Sequence, residues 1–445
     1  MHIQRLRALS AALALGAVVA CDSPLEVEPV NEVEESEAII DAGSARAALA
    51  GLYDALQSGS YYGGAYNFFV ELASDNTDHV GTFTTYADLD QHVTTADNST
   101  VEGMWDAIYN AIGRANTVIA KVGGVTDLEQ DEKDDIVGQA HFMRALHYHN
   151  LVRIWGGVPI RTEPPSNLAE LSNTRRATVA EVYTQILADL DKAAQLMNSD
   201  DRTRKASRGA VDALRSRVEL YRGNYVAAEA GANATLARGY ELAELFSDLF
   251  TPTGQDTPED IFRTSFTATE FNLLGFYYLS KSIGGRWEIA PTTSLRNAFE
   301  SGDDRLKWSI AVDSRRRVYG AKFPTAVGDE DLHVIRLAEV MLNKAEAQAR
   351  QNKLAQAVAE YNKLRVRANV RAHVLGVDVI TQADVINAIL LERRRELAFE
   401  GDRWPDLVRT GRAATVLNIP AFRTLFPIPQ NEIDVAPLLT QNPGY

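Results

Sequence analysis

The 445-residue sequence predicts an all-α protein with long irregular loops. Apolar residues recur at helical spacing in four stretches, whereas the alternation typical of strands is scarce. Two of these stretches begin with capping-box spacing, Thr178 with Glu181 and Thr381 with Asp384. The composition, 45% apolar and 24% charged, is that of a globular chain with ample material for a core.

Charge and cysteine content exclude several classes of protein. The 60 acidic residues exceed the 45 basic ones and give a net charge of −15, which argues against a nucleic-acid binder. A single cysteine excludes a disulfide framework and a cysteine-based zinc site. No apolar run reaches the roughly 18 residues that a membrane-spanning helix needs.

The first 37 residues have the pattern of a signal peptide followed by a flexible tether. Arg5 and Arg7 precede an apolar run over residues 8–20, the layout of a secretory signal. The run ends Val18-Val19-Ala20-Cys21, which resembles a bacterial lipobox, so we expect residues 1–20 to be removed and lipid to be attached to Cys21. An ordinary signal peptide with a chance cysteine is the alternative. Residues 21–37, acidic and without Lys or Arg, predict a flexible tether.

Four helices are predicted from apolar residues that share one face. These faces are Trp105, Ile108, Ile112, Ala115 and Ile119; Tyr183, Ile186, Leu187, Leu190 and Ala194; Ile335, Ala338, Leu342, Ala345 and Ala349; and Ile386, Ile389, Leu390 and Leu397.

Two segments predict pairs of helices of the tetratricopeptide kind. Residues 210–236 and 337–364 each contain a helical stretch, a short polar turn and a second helical stretch. A small residue follows each turn, Ala228 in the first and Ala357 in the second, and lets two antiparallel helices approach closely. The two alanines are too far apart in the chain for an uninterrupted tandem array.

Three irregular stretches separate the helical blocks, at residues 58–104, 160–176 and 247–330. Loops this long in a compact protein are usually functional or disordered. The first and third are rich in aromatic residues, which favours function over disorder.

Three segments are dense in distinctive residues. Residues 144–159 include Arg153-Ile154-Trp155-Gly156-Gly157, in which the glycines can end a helix. Residues 392–409 carry acids and arginines at spacings of three and four, which suit an ion-pair lattice on one helix. Residues 426–445 contain Pro-Ile-Pro and Asn-Pro-Gly-Tyr and predict a strap packed over the body.

Together these segments resemble the SusD/RagB family of nutrient-uptake lipoproteins, over about residues 47–445. The resemblance implies tetratricopeptide-like helix pairs packed against a loop-rich, irregular ligand-binding part. It also implies one body over residues 38–445: an N-terminal helical part to 246 with the aromatic loop 58–104, a loop-rich insertion at 247–330, and a C-terminal part at 331–445.

The same resemblance implies the function. We expect a protein anchored by lipid at Cys21 in the outer membrane, facing the outside of the cell. There it would bind oligosaccharides or peptides and deliver them to a SusC-like TonB-dependent transporter, without enzymatic activity and without a cofactor.

The ligand-contacting residues cannot be carried over by motif, because they vary with the substrate in this family. Aromatic rings can stack on sugar faces and carry a polar handle, so the loop aromatics are the candidates. The wider set is Tyr61, Tyr62, Tyr66, Tyr86, Tyr277, Tyr278, Trp287 and Trp308. We select Trp287, Tyr277, Tyr278 and Tyr86, with core packing as the alternative for each ring.

Two other functions stay open. A lipid-anchored helical-repeat scaffold that binds proteins would suit the helix pairs. A lipid-anchored glycosidase is the third hypothesis, although carboxylates are too abundant in this chain to identify a catalytic pair. The sequence lacks the P-loop, GxGxxG, GxSxG and HExxH motifs. His147 and His149 would face different ways on a helix, and Asp75 with Asp78 fits a solvated loop better than a calcium site, so no metal site is predicted.

Overall fold

The computed structural model describes residues 39–164, 174–198, 204–251 and 256–445, and most of them are helical. The prediction of an all-α protein is therefore confirmed. The expected signal at residues 1–20, the lipidation site Cys21 and the tether at 21–37 lie outside the described residues. Over the described ranges, no helix has the length and apolar character needed to cross a membrane.

The first half of the chain contains mostly long helices joined by short connections. Its elements are α1 (Ala42–Gln57), α2 (Ala65–Leu72), β1 (Thr77–His79), α3 (Thr84–Asp90), α4 (Ser99–Lys121), α5 (Gln130–Trp155), α6 (Val179–Leu196), α7 (Arg208–Tyr221) and α8 (Tyr225–Leu236).

The second half begins with short elements and ends with a further set of helices. Its elements are β2 (Asp260–Thr264), α9 (Leu274–Tyr278), β3 (Ile289–Pro291), α10 (Thr293–Ala298), α11 (Asp304–Ser309), β4 (Ile310–Val312), β5 (Val318–Gly320), β6 (Leu332–Arg336), α12 (Leu337–Arg350), α13 (Leu354–Arg367), α14 (Gln382–Glu396), α15 (Arg403–Arg409), α16 (Ala413–Leu417) and α17 (Gln430–Val435).

Both predicted capping boxes and both predicted helix pairs are present. Thr178 caps α6 with Glu181, and Thr381 caps α14 in the same way. In the pairs α7–α8 and α12–α13, Ala228 and Ala357 are fully buried. Helix α8 also packs against α12, so the two pairs meet although they are distant in the chain.

The strands of the described residues form three antiparallel two-stranded sheets, β1–β3, β2–β6 and β4–β5. The placement of Ile335 in a helix is wrong, because it lies in β6 opposite Phe262 and α12 begins only at Leu337. An apolar residue two positions before a helix extends the helical pattern by chance. The stretches predicted as irregular, 58–104 and 247–330, contain short helices and strands.

The end of α5 and the C-terminal strap, residues 426–445, are joined by hydrogen bonds. Gly156 ends the helix with a φ of +76°, a conformation that favours glycine. The backbone N–H of Phe426 donates to the Ile154 carbonyl at 3.0 Å, and the Trp155 indole donates to the Pro427 carbonyl at 3.0 Å. The prediction of a strap packed over the body is confirmed.

The charged segment at residues 392–409 is held in ion pairs, but the predicted lattice on a single helix is mostly wrong. Its principal ion pairs join different elements: Arg393 with Asp406, Arg394 with Asp75, Arg395 with Glu300 and Glu396 with Arg336. The reason is burial, since a charge removed from water needs a partner from whatever packs against it.

Candidate functional site

A cluster of aromatic rings forms where α3 and the loop before it meet α9. The rings of Phe83 and Tyr86 lie 5.2 Å apart, and each lies 6.0 Å from the ring of Tyr277. The Tyr277 ring also packs edge-on against the buried ring of Phe68 at 5.0 Å. Because Phe83 and Tyr277 are only partly buried, the cluster presents ring surface to solvent. We call Phe83, Tyr86, Tyr277 and Arg286 the aromatic surface.

Arg286 completes this surface. Its guanidinium carbon lies 4.2 Å from the centre of the Phe83 ring, a cation–π distance. The same guanidinium donates to Glu288 at 2.8 Å and to the Thr82 hydroxyl at 3.0 Å. The surface therefore combines apolar ring faces with N–H donors whose positions are fixed.

The carboxylate of Glu288 fixes the loop below the surface. It accepts the backbone N–H groups of Thr82 at 2.5 Å and Phe83 at 2.7 Å, and a contact from His79 at 3.1 Å. Burial alone would raise the pKa of Glu288, but the hydrogen bonds from Arg286 and from the loop backbone outweigh it and lower the pKa to about 2. The carboxylate is therefore ionised at neutral pH.

The sequence folds this way because two distant segments pair. Strand β1 is antiparallel to β3 with Asp78 opposite Ala290, and the Val80 N–H extends the pairing to the Glu288 carbonyl at 3.0 Å. Gly81 lies directly against the Glu288 side chain, and a Cβ at that position would lie 2.1 Å from the carboxyl carbon. A side chain at position 81 would therefore push the Glu288 carboxylate away from the loop N–H groups that it accepts.

Of the four selected residues, the structure brings Tyr86 and Tyr277 together and separates Trp287 from them. Tyr86 is itself buried, so within the aromatic surface it supports the rings of Phe83 and Tyr277. The Trp287 indole donates to the Val318 carbonyl at 2.9 Å, and Arg317 lies over its ring at 5.0 Å. Arg286 and Glu288, which flank Trp287 in the chain, contact each other, so the indole between them is directed elsewhere.

Tyr278 does not suit a ligand contact. Its side chain is buried among the rings of Phe68, Phe323 and Phe399, at 5.8, 6.2 and 5.1 Å. No ring face is left for a ligand, so we remove Tyr278 from the candidate set. Consecutive residues of a short helix point in different directions, and the sequence pair Tyr277-Tyr278 does not reveal which one faces solvent.

Most of the remaining aromatic residues of the wider candidate set are also core residues. Tyr61, Tyr62 and Tyr66 are buried, and their hydroxyls form a network around the Asn150 amide at 2.7 to 2.9 Å. Trp308 is 42% exposed on α11 and is not part of the aromatic surface.

Sequence reasoning missed Phe83, Arg286 and Glu288. Phe83 belongs to the aromatic-rich stretch at 58–104 and could have been included on that ground. Nothing in the sequence, however, brings residues 82–83 to residues 286–288, about two hundred positions away.

In the acidic loop that was compared with a calcium site, the side chains of Asp75 and Asn76 are bound to other side chains of the protein. Asp75 binds Arg403 at 2.6 Å and Arg394 at 3.0 Å, and the Asn76 side chain donates to Glu71 at 2.9 Å. Across the part of the chain that the structure describes, no group of three or more His, Cys, Asp or Glu residues could hold a metal ion.

The helix pairs and the aromatic surface define a helical-repeat protein whose candidate site lies on two short helices, α3 and α9, and the loops beside them rather than on the helix pairs. Two family models match the chain: "Starch-binding associating with outer membrane" over residues 24–220, and "SusD family" over residues 318–445. The chain belongs to the SusD/RagB family, as its sequence motifs predict.

Individual relatives agree with this assignment. The SusD-like protein P38 of Formosa agariphila is 25% identical, over 97% of this chain and 97% of that protein. The starch-binding protein SusD of Bacteroides thetaiotaomicron is 31% identical over 36% of this chain and 29% of that protein. A SusD-superfamily crystal structure from Bacteroides vulgatus has the same fold, with a TM-score of 0.83 at 22% identity, covering 91% of this chain and 99% of that one.

Proposed function

We propose that this protein is a cell-surface lipoprotein that captures oligosaccharides, or peptides, and delivers them to a SusC-like TonB-dependent transporter. The aromatic surface carries the proposal. Sugar rings have apolar faces that stack on aromatic side chains, and the exposed parts of Phe83 and Tyr277 supply such a platform. Arg286 supplies fixed donors for hydroxyl groups beside it.

Family membership supports saccharide as the first ligand class to test. The family model over residues 24–220, which includes Phe83 and Tyr86, is described as starch-binding and as associating with the outer membrane. We assign no catalytic role to the site, because its buried carboxylate, Glu288, is fully engaged in holding the loop.

Isothermal titration calorimetry with a saccharide that the native protein binds tests the site. We expect Tyr277→Ala to weaken binding about tenfold, the worth of one aromatic contact of roughly 1.4 kcal/mol. Trp308→Ala is the matched control, an exposed aromatic outside the surface that should bind like the native protein. Unchanged affinity in Tyr277→Ala would refute the site. Trp287→Ala is titrated in the same way, and an unchanged affinity for the saccharide would show that Trp287 does not contact the ligand.

The anchor and the partner need separate experiments. Metabolic labelling with palmitate should mark the native protein but not Cys21→Ala, and an unmarked native protein would refute lipid attachment. A pull-down from detergent extract should bring down a TonB-dependent β-barrel, and its absence would argue against delivery to a transporter.

The alternative function is a lipid-anchored helical-repeat scaffold that binds other proteins, which the meeting of α7–α8 with α12–α13 favours. Treatment of intact cells with protease separates the two functions. Digestion of the protein supports surface capture, whereas protection would favour a scaffold facing the periplasm.

A further inference from the structure

A concave site lies beside the aromatic surface. It is a cavity of about 680 Å³ between the C-terminal end of α1, the middle of α4 and residues 269–273. Most of its side chains are exposed, so the cavity is open to a large ligand. None of its residues belongs to the aromatic surface.

Helix α9 connects the two sites. Leu273, which directly precedes α9, lines the cavity, and Tyr277 of the aromatic surface lies four residues later in α9, where its N–H donates to the Leu273 carbonyl at 3.1 Å. Residues four apart on a helix lie on one face. At 1.5 Å of rise per residue, these two border residues are about 6 Å apart along the helix axis. A polymeric ligand bound at Tyr277 would therefore reach the cavity with its next units.

The cavity contains the groups that a sugar needs. Phe271 is 51% exposed and offers an apolar ring face to the ligand. Asp106 and Asn110, one turn apart on α4, offer a carboxylate that accepts hydrogen bonds from hydroxyl groups and an amide whose NH2 group donates them, while the amide oxygen accepts Arg114 at 3.1 Å.

The charge of the cavity selects among sugars. Its one arginine, Arg114, is bound to Asp54 at 2.7 Å, whereas the carboxylates of Asp106 and Glu270 form no ion pair with a described residue. Burial, together with the nearby carboxylates of Glu432 and Glu102, raises the pKa of Asp106. A ligand bearing carboxylate or sulfate groups would meet further negative charge here.

We infer that this cavity is a second saccharide subsite, which binds uncharged sugar units of the same chain that stacks on Tyr277. The inference rests on the proposed function and deepens it, because it makes the ligand a neutral oligosaccharide long enough to occupy both sites.

The test begins with affinity electrophoresis through gels that contain neutral polysaccharides (starch, β-glucan, xylan, galactomannan) or anionic ones (polygalacturonate, alginate). Oligosaccharides of two to eight units from the retaining polysaccharide are then titrated by calorimetry. We expect retention by a neutral polysaccharide and an affinity that rises with chain length. In Phe271→Ala, the affinity for the eight-unit ligand should fall about threefold to tenfold, while that for the shortest bound ligand stays unchanged.

Tyr277→Ala separates this inference from the proposed function, because it should weaken short and long ligands alike. If Phe271→Ala binds the eight-unit ligand like the native protein, or if only anionic polysaccharides retain the protein, the second subsite is refuted while the aromatic surface stands. If no polysaccharide retains the native protein, saccharide capture is refuted, and the second subsite is refuted with it. Phe271 is half exposed, so its replacement should leave the circular dichroism spectrum unchanged.

Discussion

Replacement of Glu288 by glutamine should loosen the loop that carries Phe83 while leaving the helical body intact. The carboxylate accepts two backbone N–H groups of this loop, those of Thr82 and Phe83, and its side chain is only 2% exposed. Glutamine keeps the size of the side chain but replaces the charged acceptor with a neutral amide. The amide has a single acceptor oxygen, and its NH2 group would face the N–H donors of Arg286 or of the loop.

The size of the effect follows from the two hydrogen bonds. A hydrogen bond to a charged group stabilises by about 1.5–3 kcal/mol and a neutral one by about 0.5–1.5 kcal/mol, so each bond loses about 1 kcal/mol. Two bonds give about 2 kcal/mol of local stability. Exchange of the amide hydrogens that close this loop should then become about 30-fold faster.

Hydrogen–deuterium exchange read out by mass spectrometry at pH 7 measures this change. The peptide that covers residues 80–86 should exchange faster in Glu288→Gln, whereas peptides from α4 should keep the native rate. Glu241→Gln is the matched control, since Glu241 is an exposed acid outside this loop. Native-like exchange at residues 80–86, or an equal acceleration in the control, would refute the role given to Glu288.

Three further predictions concern stability. Gly81→Ala should lower the melting temperature because the new Cβ would lie 2.1 Å from the Glu288 carboxyl carbon, whereas Gly113→Ala, in open space on α4, should raise it slightly. The pKa of Glu288, about 2 against an ordinary 4.5, means that its contribution is present above about pH 4.5 and is lost as the pH falls through about 2. The melting temperatures of the native protein and Glu288→Gln should therefore differ most above pH 5 and converge near pH 2. Ala228→Leu should cost about 1–3 kcal/mol by overpacking α8 against α12, and the exposed Ala230→Leu should cost far less in denaturant unfolding.

Much of the helical framework could be predicted from the sequence because its signals are local. The capping threonines, the small residues after the turns and the apolar periodicity each report on structure within a few positions. Ile335 shows the limit of such signals. It continues the apolar face of α12 in the sequence, yet it pairs with Phe262 in a strand, and only the distant partner decides its conformation.

The candidate site was less predictable for the same reason. Tyr86 and Tyr277 could be selected as loop aromatics, but Tyr278 next to Tyr277 points into the core and Trp287 points toward Val318. The direction of each ring depends on pairings between segments about two hundred residues apart. Composition gives the kind of side chain that a site uses, and the long-range pairings decide which of those side chains reach it.

The charged helix α14 and the aromatic surface are coupled through β1 and β3. Arg394 donates to the Asn76 side chain at 2.9 Å and to the Asp75 carbonyl at 2.7 Å, and Arg403 holds the Asp75 carboxylate at 2.6 Å. These two residues lie directly before β1, and the Asn76 carbonyl accepts the N–H of Thr292, which directly follows β3. The arginines therefore fix the end of the β1–β3 pair opposite to the loop that Glu288 holds. Because charged side chains fix both ends of the β1–β3 pair, the Phe83 loop is placed against α9 before any ligand arrives. Binding then loses less conformational entropy than it would with a flexible loop.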